Sequence, residues 1–260
     1  VLAGLLVWAT RPDPDVSGTG ESDGKRPASE TATWNRATSE RFVDAFDDPG
    51  LPGWSILERD RVGEPLFERL DASTSRPGQL IVIPRVSTGW YQNTQGTMLS
   101  RLVTGDFVAG VTVRLSNRHD PSLPPKMSFN SAGLIARDPD SGLNSENWVI
   151  ASVGMQETEI GYKSESTRNS RTELQVYHGP READLRLLRL GSTIRVFARE
   201  NASAGWIELR SWQRDDLPAT LQVGVLCNGW GGQADALAEF DSFELFDPEE
   251  ESDWLKASDR

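Results

Sequence analysis

Apolar residues recur at every second position through most of this chain, and that alternation constrains the fold more than any other feature. In DFVAGVTVRL, Phe107, Ala109, Val111, Val113 and Leu115 share one face, while Val108, Gly110, Thr112 and Arg114 share the other. Successive side chains of a strand point to opposite sides. Such a run therefore has a core face and a mildly polar face able to line a groove. STIRVFARE repeats the pattern, with Ile194, Val196 and Ala198 alternating against Arg195, Phe197 and Arg199. Similar runs, among them QLIVIPRV, TMLSRLV, AGLIAR, NWVIASV, ETEIGYK, TELQVYH, TLQVGVLC and ADALAEFDSFELF, extend from Arg41 to Phe246. Turn signals separate them, such as Thr104-Gly105-Asp106, Asp138-Pro139-Asp140 and Gly191-Ser192. Short alternating strands with turns every ~8–12 residues predict an antiparallel sandwich or barrel. No βαβ spacing is present, so a parallel sheet is not expected. The one helix-like phase lies in TSERFVDAF.

The two ends read differently. Val1 to Ala9 is unbroken apolar sequence, too short for the ~20 residues that span a bilayer. Residues 1–10 read as the remnant of a signal or membrane-anchor segment. Residues 11–40 are Pro, Ser, Thr, Gly and charge, a solvated linker. The globular domain is expected over 41–247 and an acidic tail over 248–260, with Trp254 its one large aromatic group. This arrangement predicts a protein secreted, periplasmic or membrane-anchored and facing outward from the cytoplasm.

Charge removes several classes of partner. Lys and Arg total 27 against 39 Asp and Glu, a formal charge of -12. Nucleic-acid binding needs a basic stripe that displaces counterions, and none is found, so no nucleic-acid partner is expected. Membrane contact is expected only through the N-terminal segment. The single cysteine, Cys227, sits in the apolar run LQVGVLC and reads as a small buried hydrophobe. The two histidines, His119 and His178, lie in turn-rich sequence and offer neither a Cys–His pair nor a zinc set.

The order of segments carries a resemblance. FDDPGLPGW is followed by GWYQNTQGTMLSRLVTGDFVAGVTVRL, then by SAGLIARDPDSGLNSENWVIASVG. The series closes with LRLLRLGSTIRVFARENASAGWIELRSW and FDSFEL. Over Phe42 to Phe246 this resembles the concanavalin A-like lectin/glucanase jelly-roll superfamily. Within it the chain looks most like bacterial domains of unknown function, some attached to glycoside hydrolases. A related pattern occurs in 3-keto-disaccharide hydrolases. The resemblance implies an all-β, two-sheet antiparallel jelly-roll sandwich with one convex and one concave sheet. It implies sugar binding, where that occurs, on the concave sheet or its rim loops, and calcium in some members.

Candidate residues follow from sugar chemistry. Pyranose C–H faces pack on flat aromatic rings, ringed by amide and charged groups. Trp90, Tyr91, Asn93, Arg101, Arg137, Trp148, Tyr162 and Trp230 are the candidate ligand-binding set. Trp90 and Tyr91 are adjacent, so on a strand one faces a groove and the other the core. Glu157 and Glu159 in ETEIGYK are expected to share a face, as paired glycosidase carboxylates must. Glu239, Asp241 and Glu244 imitate the E-x-D-x-x-E spacing of superfamily glucanases, whose carboxyls stand ~5–5.5 Å apart. Pairing of the first and last strands would bring Asp47 or Asp48 near Asp241, a candidate for structural calcium. No other cofactor is expected. The leading function is a non-catalytic module that binds polysaccharide or oligosaccharide. The alternatives are a hydrolase of glycosides or 3-keto-disaccharides, and a structural or protein-interaction domain without a small ligand.

Overall fold

A computed structural model describes residues 42–59, 63–232 and 234–248. The expected N-terminal segment, the linker and nearly all of the acidic tail lie outside the described residues. The chain forms β1 (Phe42–Asp44), β2 (Ser55–Leu57), β3 (Phe67–Ala72), β4 (Leu80–Pro84), β5 (Met98–Thr104) and β6 (Phe107–Asn117). It continues through β7 (Ser131–Arg137), β8 (Trp148–Gln156), β9 (Glu159–Arg168), β10 (Arg171–His178) and β11 (Glu182–Leu190). The last four are β12 (Thr193–Arg199), β13 (Ile207–Gln213), β14 (Thr220–Asn228) and β15 (Ala236–Phe246). No α-helix occurs among the described residues. Among them, too, no helix is long and apolar enough to cross a membrane.

All pairings between the strands are antiparallel and form two sheets. The eight-stranded sheet runs β13-β12-β11-β6-β15-β4-β3, with β1 added beside β15. The seven-stranded sheet runs β10-β9-β8-β7-β14-β5-β2. This is one of the two antiparallel architectures the alternation predicts, a sandwich, in the two-sheet jelly-roll form that the resemblance implies. Of TSERFVDAF, residues 38–41 lie outside the described residues; Phe42–Asp44 is a strand and not a helix, paired with Leu245–Phe243 of β15. A short segment beside an unpaired sheet edge gains ladder hydrogen bonds that outweigh its local propensity.

The core faces are the ones the alternation selects. Phe107, Ala109, Val111, Val113 and Leu115 of β6 all enter one cluster with Ile194, Val196 and Ala198 of β12. From the other sheet come Leu134 of β7, Ala151 of β8 and Leu221, Val223, Val225 and Cys227 of β14. Burial pushes the Cys227 thiol pKa far up, so it is an inert packing group. The half-polar faces of β6 and β12 both belong to the outer side of the eight-stranded sheet. There Arg186 and Arg199 sandwich Trp206, each 4.5 Å from its ring centre.

Glycines fit the seven-stranded sheet together. A Cβ on Gly224 would stand 1.9 Å from the Leu99 carbonyl oxygen, and one on Gly133 would stand 2.1 Å from that of Ala151. Only residues without a side chain permit such close approach between strands.

One surface carboxylate gives the stability a pH signature. Asp71 accepts hydrogen bonds from Ser75 Oγ and Arg69 Nη2, both at 2.5 Å, and from the amides of Thr74 and Ser75 at 3.1 and 3.3 Å. The Ser75 hydroxyl, then the Arg69 guanidinium, hold its pKa down from 3.8 to about 2. A folded pKa below the unfolded one adds stability that is present above the unfolded value and lost as pH falls through the folded one. Urea denaturation of Asp71→Asn is expected to show a flatter decline than the parent as pH falls from about 4 to 2. Parallel curves would remove Asp71 as a contributor.

Candidate functional site

The outward face of the seven-stranded sheet carries four registered rows of side chains. Thr172, Thr167, Trp148, Arg137 and Gln222 form the first row, and Leu174, Glu165, Ile150, Ile135 and Gly224 the second. Val176, Lys163, Ser152, Gly133 and Leu226 form the third, and His178, Gly161, Gly154, Ser131 and Asn228 the fourth. Alternation sends the neighbours of these residues into the sandwich core.

A loop between β4 and β5 crosses this face. The Trp90 amide donates to Asn228 Oδ1 at 3.0 Å, on β14. The Gln92 amide donates to Thr172 Oγ1 at 2.9 Å, on β10 at the far edge. Those amides are two residues apart, at most about 7 Å of chain. Strands β14 and β10 in a flat sheet would lie roughly 19 Å apart before any offset along the strands is added. Asn228 is in register with His178, six residues or about 20 Å along β10 from Thr172, so two hydrogen-bonded side chains do not make up the total difference, and the sheet curls and is hollow toward the loop. Asn93 completes the crossing. Its Oδ1 accepts from the Asn144 amide at 2.6 Å and from Ser170 Oγ at 2.5 Å, and its Nδ2 donates to Asn144 Oδ1 at 3.1 Å. Ser170 and Asn169 form the β9–β10 turn with φ of 59° and 46°, the left-handed pair that a two-residue hairpin requires.

Beneath this strap the hollow is apolar. Trp90, Met98, Ile135, Trp148, Ile150 and Leu226 form a cluster separate from the main core. Trp90 meets Trp148 edge to face at 6.2 Å and donates from Nε1 to the Thr97 carbonyl at 3.0 Å. Arg137 lies over the Trp90 ring at 5.6 Å. Its guanidinium donates to Glu146 Oε2 at 3.1 Å and Gln222 Oε1 at 2.8 Å.

Beyond the strap the hollow is polar. Lys163 Nζ stands 3.5 Å from Glu165 Oε1, with both side chains buried. The Phe129 ring lies 5.6 Å from the same ammonium. Ser152 Oγ, Glu165 Oε1 and Trp148 Nε1 are buried and have no hydrogen-bond partner. Lys163, Glu165 and Ser152 were not singled out from sequence. Their signal is the Lys-x-Glu spacing in YKSESTR, which reads as a solvated strand face.

Of the candidate ligand residues, the structure brings Trp90, Asn93, Arg137 and Trp148 together at this hollow. Tyr91 and Trp230 form a second, outer feature: their rings meet edge to face at 6.0 Å on the rim, Tyr91 exposed and Trp230 half-buried. Tyr162 instead points into the sandwich core, where burial raises its phenol pKa. Arg101 follows the core-facing parity of Leu99 and Val103. It lies over the Phe42 ring at 3.7 Å and donates to the Gly53 carbonyl at 2.7 Å, away from the hollow.

The carboxylate candidates are scattered. Glu157 sits in the β8–β9 turn with φ of 55°, and Glu159 opens β9, so the two are not on one strand face as expected. The turn wins because the hairpin needs a left-handed residue between Gln156 and Glu159, which pair directly. Glu239, Asp241 and Glu244 lie on β15, a central strand of the other sheet. Glu239 is buried in an ion pair with Arg76 and stands 3.7 Å from Arg114 Nε. A recess of about 120 Å³ on that outer face is lined by Glu239, Asp241 and Glu182 with both arginines. Among the described residues no group of three or more His, Cys, Asp or Glu could hold a metal ion. Asp48 uses Oδ1 to accept the Gly50 amide at 2.8 Å.

Solved structures share this architecture. A functionally unknown protein from Saccharomyces cerevisiae superposes with a TM-score of 0.58 at 15% identity, covering 75% of this chain and 97% of its own. The GH43 protein BlXynB from Bacillus licheniformis gives 0.60 at 18% identity, over 78% of this chain and 39% of its own. The CBM2 module of the evolved Dit of Lactobacillus casei BL23 phage J-1 gives 0.53 at 8% identity, over 79% and 94%. The fold is a shared jelly-roll sandwich. At these identities the likeness is one of fold alone. The chain spans well under half the length of the GH43 protein. No protein-family model matches the sequence, and no curated protein matches it.

Proposed function

We propose that this chain is an exported, non-catalytic module of the bacterial unknown-function type, binding carbohydrate in the hollow of the seven-stranded sheet and on the Tyr91–Trp230 rim. One observation carries the reading: Trp148 Nε1 and Ser152 Oγ are buried without hydrogen-bond partners on a sheet face turned away from the core, beside a Glu165 Oε1 that meets only Lys163 Nζ at 3.5 Å. A buried polar atom left unpaired costs about 1–3 kcal/mol. A polyhydroxylated ligand supplies both donors and acceptors to such atoms. The solved folds that this sandwich resembles include a GH43 protein and a CBM2 module, which supports a carbohydrate role. Export is supported by the apolar run Val1 to Ala9 followed by a polar linker.

The non-catalytic part rests on the carboxylates. A general acid needs a raised pKa. Among the described residues, hydrogen bonds and nearby cations hold the carboxyls of Glu68, Asp71, Asp120, Asp215 and Asp216 down. Glu239 is paired with arginines, Glu157 sits in an exposed turn, and Glu159 opens the strand after it.

A glycan array carrying neutral and acidic oligosaccharides tests the reading. Binding is expected at about -4 to -6 kcal/mol, roughly millimolar to tens of micromolar. Replacing both rim rings, Tyr91→Ala with Trp230→Ala, is expected to weaken it about tenfold. An array with no bound glycan sinks the proposal.

A further inference from the structure

The eight-stranded sheet carries a recess on its outer face, across the sandwich from the hollow. It arises from the sequence FDSF. Phe240 and Phe243 both enter the core, although three steps along a regular strand would send them to opposite faces. A bulge resolves this: Phe240 pairs with Val113 and Phe243 with Val111, so Asp241 and Ser242 together face Thr112. A bulge bends its strand and re-aims a side chain. Here Asp241 lines a recess of about 120 Å³. A single water needs only ~10–15 Å³ open to a water-sized sphere, so there is room for a small molecule.

The lining offers lone pairs and few free protons. The Glu239 side chain is 4% exposed. Its Oε1 pairs with Arg76, while Oε2 accepts no hydrogen bond and has Arg114 Nε 3.7 Å away. Gln79 Oε1 is also buried and accepts none. Asp241, exposed at the rim, enters no hydrogen bond or ion pair among the described residues. Thr112 gives its hydroxyl proton to Asp184 at 2.6 Å, which leaves its oxygen to accept. Both arginines are engaged, Arg76 on Glu239 and Arg114 Nη2 on the Pro121 carbonyl at 3.1 Å. Two guanidiniums against the carboxylates of Glu182, Glu239 and Asp241 leave the lining one negative charge.

We propose that this recess binds the primary ammonium of a small organic cation. An ammonium has three donors and no acceptor, which matches Glu239 Oε2, Gln79 Oε1 and the Asp241 carboxylate. Its single charge balances that of the lining, and it gives two buried oxygens the donors they lack. A bare metal ion does not fit, because among the described residues no three acidic, histidine or cysteine side chains could hold one. The volume leaves space for a short carbon chain behind the nitrogen, so the cation is organic.

The test is calorimetry and amide NMR with propylammonium, butane-1,4-diammonium and glucosamine, against tetramethylammonium, 1-propanol and calcium at matched ionic strength. The primary amines are expected to bind and to shift amides of β6, β15 and the β3–β4 loop. Tetramethylammonium has no N–H and propanol no charge, so both should bind at least tenfold more weakly. The alkylamines stand for free amines and glucosamine for an amine on a sugar; either order supports the ammonium assignment, and the tighter probe names the source. Absence of binding by every amine, equal binding of tetramethylammonium or calcium, or shifts confined to the seven-stranded sheet overturns the proposal. Asp241→Asn removes a charge without a partner in the folded chain, so Tm is expected to hold while affinity falls about tenfold. Gln79→Met deletes an unpaired buried acceptor, so Tm should stay at or above that of the parent while affinity falls several-fold. A folded protein with either substitution that binds as well as the parent also overturns it. The hollow lies on the other sheet, so glycan binding there neither supports nor harms this assignment.

Discussion

Arg214→Met is expected to lower stability by about 3–5 kcal/mol, the cost of stripping a buried ionic network of its centre. Arg214 is 1% exposed and sits where the β13–β14 connection meets the hollow sheet. Nη1 donates to the Trp148 carbonyl at 3.2 Å and to Ser166 Oγ at 2.8 Å. Nη2 donates to the Thr167 carbonyl and to Asp216 Oδ2, both at 3.0 Å, and also to Asn147 Oδ1. Nε completes the fork on Asp216 Oδ1 at 3.0 Å. Burial pushes the Asp216 pKa up, but hydrogen bonds from Arg214 and Asn147 outweigh it and hold the carboxyl down. Methionine fills much of the volume and satisfies none of these acceptors. For a domain of this size each kcal/mol moves Tm by about 2–4 °C, so a fall of about 10 °C is the expected reading in calorimetry. Arg214→Lys should lose roughly half as much, because an ammonium has three donors and no planar fork. A Met protein within 2 °C of the parent would show that water replaces the guanidinium at little cost, a threshold of about 1 kcal/mol.

The β architecture was legible because one parity of each central strand is almost purely apolar. Phe107 to Leu115 of β6 shows this directly, and every one of its odd positions is in the core. The reading weakened where both parities carry polar groups. In EIGYKSESTR the core side takes Tyr162, Ser164 and Ser166, while Lys163 and Glu165 face the hollow. Hydrophobicity alone assigns no side to such a strand, so it does not separate the core-facing Tyr162 from the outward Lys163. Arg101 was misplaced for a different reason. Its parity is that of the core, but it lies near a sheet edge, where its stem packs on Phe42 and its head reaches the Gly53 carbonyl.

The site was harder to read than the fold because its contacts are long-range. The strap joins Asn93 to Asn144 and Gln92 to Thr172, separations of 51 and 80 residues. Local patterning carries no information about such pairs. The sequence did present the strap as a cluster of Trp, Tyr, Gln and Asn, residues suited both to sugar contact and to bridging backbone. Here the Gln92 amide donates to the Thr172 hydroxyl and the Asn93 side-chain carbonyl accepts from the Asn144 amide and Ser170 Oγ, and these bonds hold the loop across the hollow. A hydrogen-bonded loop thus crosses the curled sheet from β14 to β10 and covers part of its outward face.

Trp90→Ala should divide what Trp90-Tyr91 does into a structural and a contact part. Trp90 is 2% exposed, and truncating a buried tryptophan costs about 3–5 kcal/mol. The indole holds Trp148 edge to face, lies under Arg137 and fastens the strap through Nε1 to Thr97. Its loss should therefore lower Tm by about 10 °C and erase the near-ultraviolet signature of the Trp90–Trp148 pair. Tyr91, 42% exposed, touches chiefly Trp230, so Tyr91→Ala should stay within about 0.5 kcal/mol of the parent. The two effects must differ by several-fold if one ring is core and its neighbour is rim. Equal and small losses would mean that the strap is held by Asn93 and Gln92 alone. Equal and large losses would mean that Tyr91 also bears on the fold, and the exposed aromatic rim would then cease to be a free contact surface for a glycan.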